Sequence, residues 1–286
     1  MYIIDGGIKL KKKLDISKIL FTIGMLVLSF FFLVPLIWMM SAAFKFEKDV
    51  MVFPIQWIPK DWNLIENFKA VWMAEIPFYK FYLNSIKLAT IQTLSTLLFS
   101  SMAAFAFSKL QFKGRDFVFA LVLSFMIIPE QATLVPRFLL IKWLGLYNTH
   151  EGLILMGLFS IYFTFLMRQY MLGISNEYIE AAKLDGAGYF TIYWKLILPL
   201  CKPILATAGI IKFIWIWNDY QSPLIFLINK ELYPITLGLQ LFKDDYADNF
   251  AVLMMASLSA IVPLVIIFII MQKQVIKGIA LGGVKG

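Results

Sequence analysis

Glu130, Lys212 and Asp219 are among the ionisable side chains that stand inside otherwise apolar stretches of this chain. Charge in hydrocarbon is costly, so such residues tend to face protein or a water-filled path. Lys212 and Asp219 are seven residues apart, two helical turns, which predicts one shared helix face. Pro129 removes a backbone hydrogen bond beside Glu130, and the polar pair Glu130-Gln131 could satisfy the freed groups. These spacings suit a polar pathway lined by two spans. They also suit a structural Lys212–Asp219 pair and a span that ends at Glu130. Other chemistries lack their residues. One histidine, His150, leaves no histidine cluster for a metal, and one cysteine, Cys201, rules out an intrachain disulfide. The terminal GIALGGVKG has glycines and a lysine but not the order of a phosphate-binding loop, and no GxSxG nucleophile elbow occurs. The remaining carboxylates are scattered, so no catalytic residue is expected.

The elements that must position these residues follow from composition. The chain has 286 residues, 60% hydrophobic and 15% charged, against about 45–50% and about 25% in soluble domains. The bulk therefore belongs in a bilayer. A span needs about 20 apolar residues, and six candidates lie near 19–43, 81–108, 117–137, 152–171, 203–228 and 251–271. The first, most of the second, the fourth and the sixth read as uninterrupted. A basic run, Lys9 to Lys13, precedes the first, which is too long for a signal peptide and is expected to be retained. An even number of spans puts both termini on one side. Lysines and arginines gather in the arm 1–18, near Lys109 and Arg115, from Arg168 to Lys202, and in the tail 272–286, which makes those segments cytoplasmic. The net charge of +8 fits this bias better than nucleic-acid binding. The segments 44–80 and 229–250 then lie outside. Lys87, near the outer start of the second span, is expected to snorkel.

The segment 176–199 breaks the apolar pattern. Ser175 can cap a helix starting near Asn176, and Gly186 suits its left-handed end. Tyr189 to Leu196 reads as a second short helix, with the fifth span beginning at Pro199. This is a two-helix elbow joined to a charged span, or else an amphipathic helix resting on lipid headgroups.

EAAKLDG followed after nine residues by LILP resembles the EAA loop of ABC importer permeases. Leu196 stands where the family has isoleucine, and Ser175 where many relatives have proline. NSI at 84–86, KLQFKGR at 109–115, MIIPEQ at 126–131, LGLYNTHEGLIL at 144–155, RQYM at 168–171, WND at 217–219 and the terminal GGVKG are similar, in order and spacing, to the maltose-type carbohydrate permeases. The likeness runs from about Lys45 to the end. It implies an all-α membrane protein, the shorter membrane subunit of a type I importer, with one permease domain over 19–271.

The resemblance implies that Glu180, Ala181, Ala182, Asp185, Gly186, Leu198 and Pro199 couple the chain to ATPases. It implies a second, homologous permease as heterodimer partner, two ATPase subunits that carry ATP and Mg, an extracytoplasmic solute-binding protein and a location in the bacterial inner membrane. No cofactor is expected on this chain. Trp217, Asn218, Asp219 and Glu130 are candidates for the sugar path: Trp215 and Trp217 offer flat faces for sugar rings, and Asn218 and Asp219 can accept hydrogen bonds from hydroxyls. Asp219 could instead cap a helix break near Ser222-Pro223. Tyr233, Phe242, Asp244 and Tyr246 are candidates for binding-protein contact. A non-sugar solute such as glycerol phosphate is an alternative cargo, and an ion-coupled secondary transporter an alternative mechanism.

Overall fold

A computed structural model describes residues 16–246 and 248–283. Most of the expected N-terminal arm and the last three residues lie outside the described residues. Every regular element among those described is helical. Three helices are each long and apolar enough to cross a membrane: Ile16–Ala43, Phe78–Lys109 and Phe250–Ile270. Three bent pairs raise the number to six if each pair counts as one span. The last helix runs unbroken from Phe250 to Gly283, well past the expected end near 271.

The breaks have local causes. The third span consists of Arg115–Ile127 and Glu130–Trp143, bent by 97°. Ile128 is extended, with ψ 117°, because a residue before proline is pushed out of the helical region. The expected kink at Pro129 is thus a full break. The fourth span was expected to be uninterrupted, and it is not: His150–Met156 and Ile161–Leu172 meet at 43°. Gly157 ends the first half and extended Ser160 starts the second. The backbone groups freed there are satisfied by the second span. Thr96 Oγ1 donates to Gly157 O at 2.8 Å, and Ser100 Oγ accepts from Ser160 N at 3.1 Å. The apolar run hides this break, since the partners sit on another helix.

The 32-residue helix Phe78–Lys109 is the central strut, about 48 Å long at 1.5 Å per residue. Near its start Asn84 Nδ2 donates to the carbonyls of Glu231 and Tyr233, and Ser85 Oγ accepts from Ile235 N. Lys87 pairs with Glu151 at 3.5 Å rather than standing alone. At its far end Lys109 Nζ donates to Asn176 Oδ1 at 3.0 Å. The helix therefore ties the 229–235 segment at one end to the elbow at the other. The segment 44–80 is not a plain loop: it contains the helix Leu64–Trp72, with Val71 fully buried.

Candidate functional site

The elbow begins with Glu177–Leu184, where Ser175 Oγ accepts from Glu177 N at 3.2 Å. It ends in a Schellman motif. Ala187 N donates to Ala182 O and Gly186 N to Lys183 O, both at 2.9 Å, with Gly186 at φ +80°. Ala182 and Ala187 sit half-buried beside Ile179, which gives the small residues of this segment a packing reason. Glu180, Ala181, Asp185 and Gly186 are exposed. Tyr178, Ala181 and Leu184 follow at a spacing of three on the outer face, and Leu184 is 90% exposed.

The second elbow helix extends further than expected, over Tyr189–Leu200, with a π-turn at Tyr193–Ile197. Pro199 lacks the N–H that would bond the Lys195 carbonyl, and a π-turn beside such a gap is a known way to absorb it. Leu198 is half-buried and Pro199 exposed. This helix meets Lys202–Trp217 at 77°. Ile192, Tyr193, Ile197 and Cys201 pack in one core with Phe163, Met167 and Met171 of the fourth span. The elbow is therefore held firmly against the spans it joins.

Lys202–Trp217 leads into a cavity of about 350 Å³. Glu130, Arg137, Lys212 and Asp219 all line it. The shared helix face expected for Lys212 and Asp219 does not exist, because the helix stops at Trp217. The two residues meet at the cavity from helix and loop instead. Asp219 Oδ1 accepts from Ser222 N at 3.1 Å, capping the short helix Gln221–Phe226. Glu130 pairs with Arg137 at 2.8 Å, an ion pair that sequence reading missed. The seven-residue spacing that carries it crosses a 3₁₀ turn, which a simple helical wheel does not follow.

The two tryptophans part company. Trp217 is 2% exposed, stacks on Phe213 and donates from Nε1 to Ala260 O at 3.2 Å. It faces the sixth span and does not line the cavity. Trp215 does line it, its ring packed on Tyr162 and Phe163. Residues two apart on a helix point to opposite sides, so only one of the pair could face inward to the cavity. Asn218 is exposed, donates to Ile214 O at 2.9 Å and ends the helix. Gln92, on the second span, is a cavity residue that sequence reading missed. Its signal is the stripe Gln92, Thr96, Ser100 at a spacing of four in an apolar helix.

In the 229–250 segment, Ile235–Asp245 forms an amphipathic helix. Phe242 was expected at the surface and is 4% exposed, wedged edge-on to Phe78 and stacked on Tyr246. Tyr233 and Tyr246 are half-buried, while Asp244 is exposed and accepts from Gln240 Nε2 at 2.9 Å.

The sequence matches the family model described as binding-protein-dependent transport system inner membrane component over residues 96–280. The chain is 37% identical to the probable ABC transporter permease protein YurM of Bacillus subtilis, over 88% of this chain and 83% of the relative. It is 33% identical to the arabinooligosaccharides transport system permease protein AraQ of Halalkalibacterium halodurans, over 96% and 99%. Among solved structures, one chain of a bacterial ABC transporter involved in the import of the acidic polysaccharide alginate matches with a TM-score of 0.79 and 25% identity, over 91% of this chain and 97% of that one.

Proposed function

This chain belongs to the family of binding-protein-dependent transport system inner membrane components, and from that premise we propose that it is one permease half of an oligosaccharide importer. The names of its relatives support the cargo class: they include permeases for arabinooligosaccharides, for melibiose, raffinose and stachyose, and for galactooligosaccharides. A second, homologous permease completes the path. ATPase subunits bring the ATP and Mg chemistry, and an extracytoplasmic solute-binding protein delivers the sugar at the end bearing Asp244. Both termini face the cytoplasm, as the basic residues favour.

The observation that carries this reading is the outer face of the elbow. Tyr178, Ala181 and Leu184 present a narrow apolar strip with a small residue at its centre, backed by Ile179 in the core. Tyr178 and Leu184, 55% and 90% exposed on one face, make a contiguous apolar strip of the kind that suits a docking helix. Closure of the ATPases pushes this strip. The packed core passes the displacement through Ile197 and Cys201 to Lys202–Trp217, which carries Lys212 and Trp215 at the cavity. ATP thereby shifts the population between the two access states. Glu130 and Asp219 lie on the path in this reading, and Trp215, rather than Trp217, is its aromatic face.

Cross-linking tests the docking. Cys201 is fully buried, so the native thiol leaves a quiet background. Cysteine at Ala181 or Leu184 is expected to cross-link to cysteines placed in the surface cleft of the ATPase subunit, and cysteine at Lys243 is not. An intact complex in which neither elbow site cross-links contradicts the reading.

A further inference from the structure

Buried polar groups nearly always have a partner. Several polar groups lining the cavity, buried or exposed, have one: Arg137 and Glu130 bond each other at 2.8 Å, Ser85 Oγ accepts from Ile235 N at 2.8 Å, and Asp219 Oδ1 accepts from Ser222 N. Gln92 and Lys212 do not. They are 6% and 9% exposed and both line the cavity. Among the described residues neither side chain makes a hydrogen bond, and Lys212 makes no ion pair. Their polar ends are not sealed in protein but open onto the cavity, where a ligand can meet them.

Gln92 is held there by the fold. Along the stripe Gln92, Thr96, Ser100, the lower two side chains close the backbone of the broken fourth span. The amide of Gln92 lies instead against Gly157, where a Cβ would overlap it. The break in the fourth span, with glycine at its start, makes room for this amide at the cavity wall.

We propose that Gln92 and Lys212 form a subsite for one neutral glycosyl unit of the saccharide in transit. This rests on the importer reading above. An ammonium offers three donors, and a primary amide two donors and an acceptor. Together they match a pair of adjacent sugar hydroxyls, each of which both donates and accepts. Trp215, half-exposed on the same wall, supplies a flat apolar face. The cavity volume of about 350 Å³ falls within the usual range for small-molecule sites. Charge decides between neutral and acidic sugars. The four charged side chains lining the cavity are two cations and two carboxylates, so a neutral sugar preserves the balance. A uronate would add a third carboxylate, competing with Glu130 and Asp219 for the fields of Lys212 and Arg137.

The test uses the full complex in proteoliposomes with saturating binding protein. The probes are raffinose, arabinotriose, galactotriose and an alginate trisaccharide. Wild type is expected to import at least one of the neutral sugars and to leave the alginate trisaccharide outside. Lys212→Met and Gln92→Leu are expected to cut the uptake rate at least about tenfold, the loss of one strong hydrogen bond, and to change the relative rates among neutral sugars. Lys212→Arg retains part of the rate. Should the first two variants fail to assemble, Lys212→Arg and Gln92→Glu carry the comparison, since they keep charge or shape. Relative rates that stay unchanged in the assembled variants overturn the subsite but leave the importer reading standing, and so does preferred uptake of the alginate trisaccharide. A wild-type complex that imports none of the four overturns the importer reading and the subsite with it.

Discussion

Gly186 should be the most sensitive backbone position of the elbow, and its substitutions should rank by backbone cost alone. A Cβ at this residue meets nothing within 4 Å, so sterics outside the backbone contribute nothing. The φ of +80° costs an ordinary L-residue about 1–2 kcal/mol, and asparagine less. Proline fixes φ near −65° and also removes the bond from Gly186 N to Lys183 O, adding about 1 kcal/mol. At about 1.4 kcal/mol per factor of ten, Gly186→Asn should stay near wild type. Gly186→Ala should lower the population of the native elbow roughly fivefold or more, and Gly186→Pro should abolish it. The assay is binding-protein-stimulated ATPase and sugar uptake by reconstituted complexes at matched membrane levels. Loss of stimulation in the order Asn, Ala, Pro is expected, with insertion intact. If Gly186→Pro couples like wild type, the Schellman geometry has no part in coupling.

Three structural predictions follow from the same reasoning. Thr96→Val keeps shape but strips the Gly157 carbonyl of its donor, and should cost about 1–3 kcal/mol in the solubilised protein, read as a lower melting temperature. Asn148 adopts φ 60° and its Oδ1 accepts from Ile228 N and Asn229 N; Asn148→Leu should destabilise by about 2–4 kcal/mol, whereas Asn148→Asp, which keeps both acceptors, should be much milder in the same melt. Gly238→Ala drives a Cβ into the buried ring of Phe81 and should cost about 1–3 kcal/mol through overpacking, visible as faster proteolysis of the 229–250 segment.

The elbow was readable because its signals are local. Glycine at a helix end, alanines one turn before it and a proline before the next span each act within a few residues, and Gly186 at φ +80° meets that expectation. The apolar segments were readable for a similar reason, since apolar length is a local property, whereas the bends that leave three to six spans were not. What escaped depends on partners distant in sequence. The break at Gly157 is stabilised by Thr96 and Ser100, some sixty residues earlier. Phe242 turns inward because Phe78 receives it. Trp217 and Trp215 are distinguished only by which neighbour each helix face meets: Ala260 on one side, the cavity on the other. Asp219 looked like a residue two turns beyond Lys212 because the apolar run resumes after Pro223, which masked the stop that Asn218 makes after Trp217. The bond to Ser222 realises the capping role that the sequence left open.

The central claim is that this chain conducts sugar only as one half of an ATP-driven assembly. Reconstitution measures it most directly: labelled raffinose or arabinotriose uptake into proteoliposomes holding the chain alone, the chain with its partner permease, or the full complex with ATPases and binding protein. The account predicts uptake only in the last, dependent on ATP inside the cytoplasmic face and insensitive to collapse of ion gradients. Sugar uptake by the lone chain, whether driven by ATP or by an ion gradient, would contradict it.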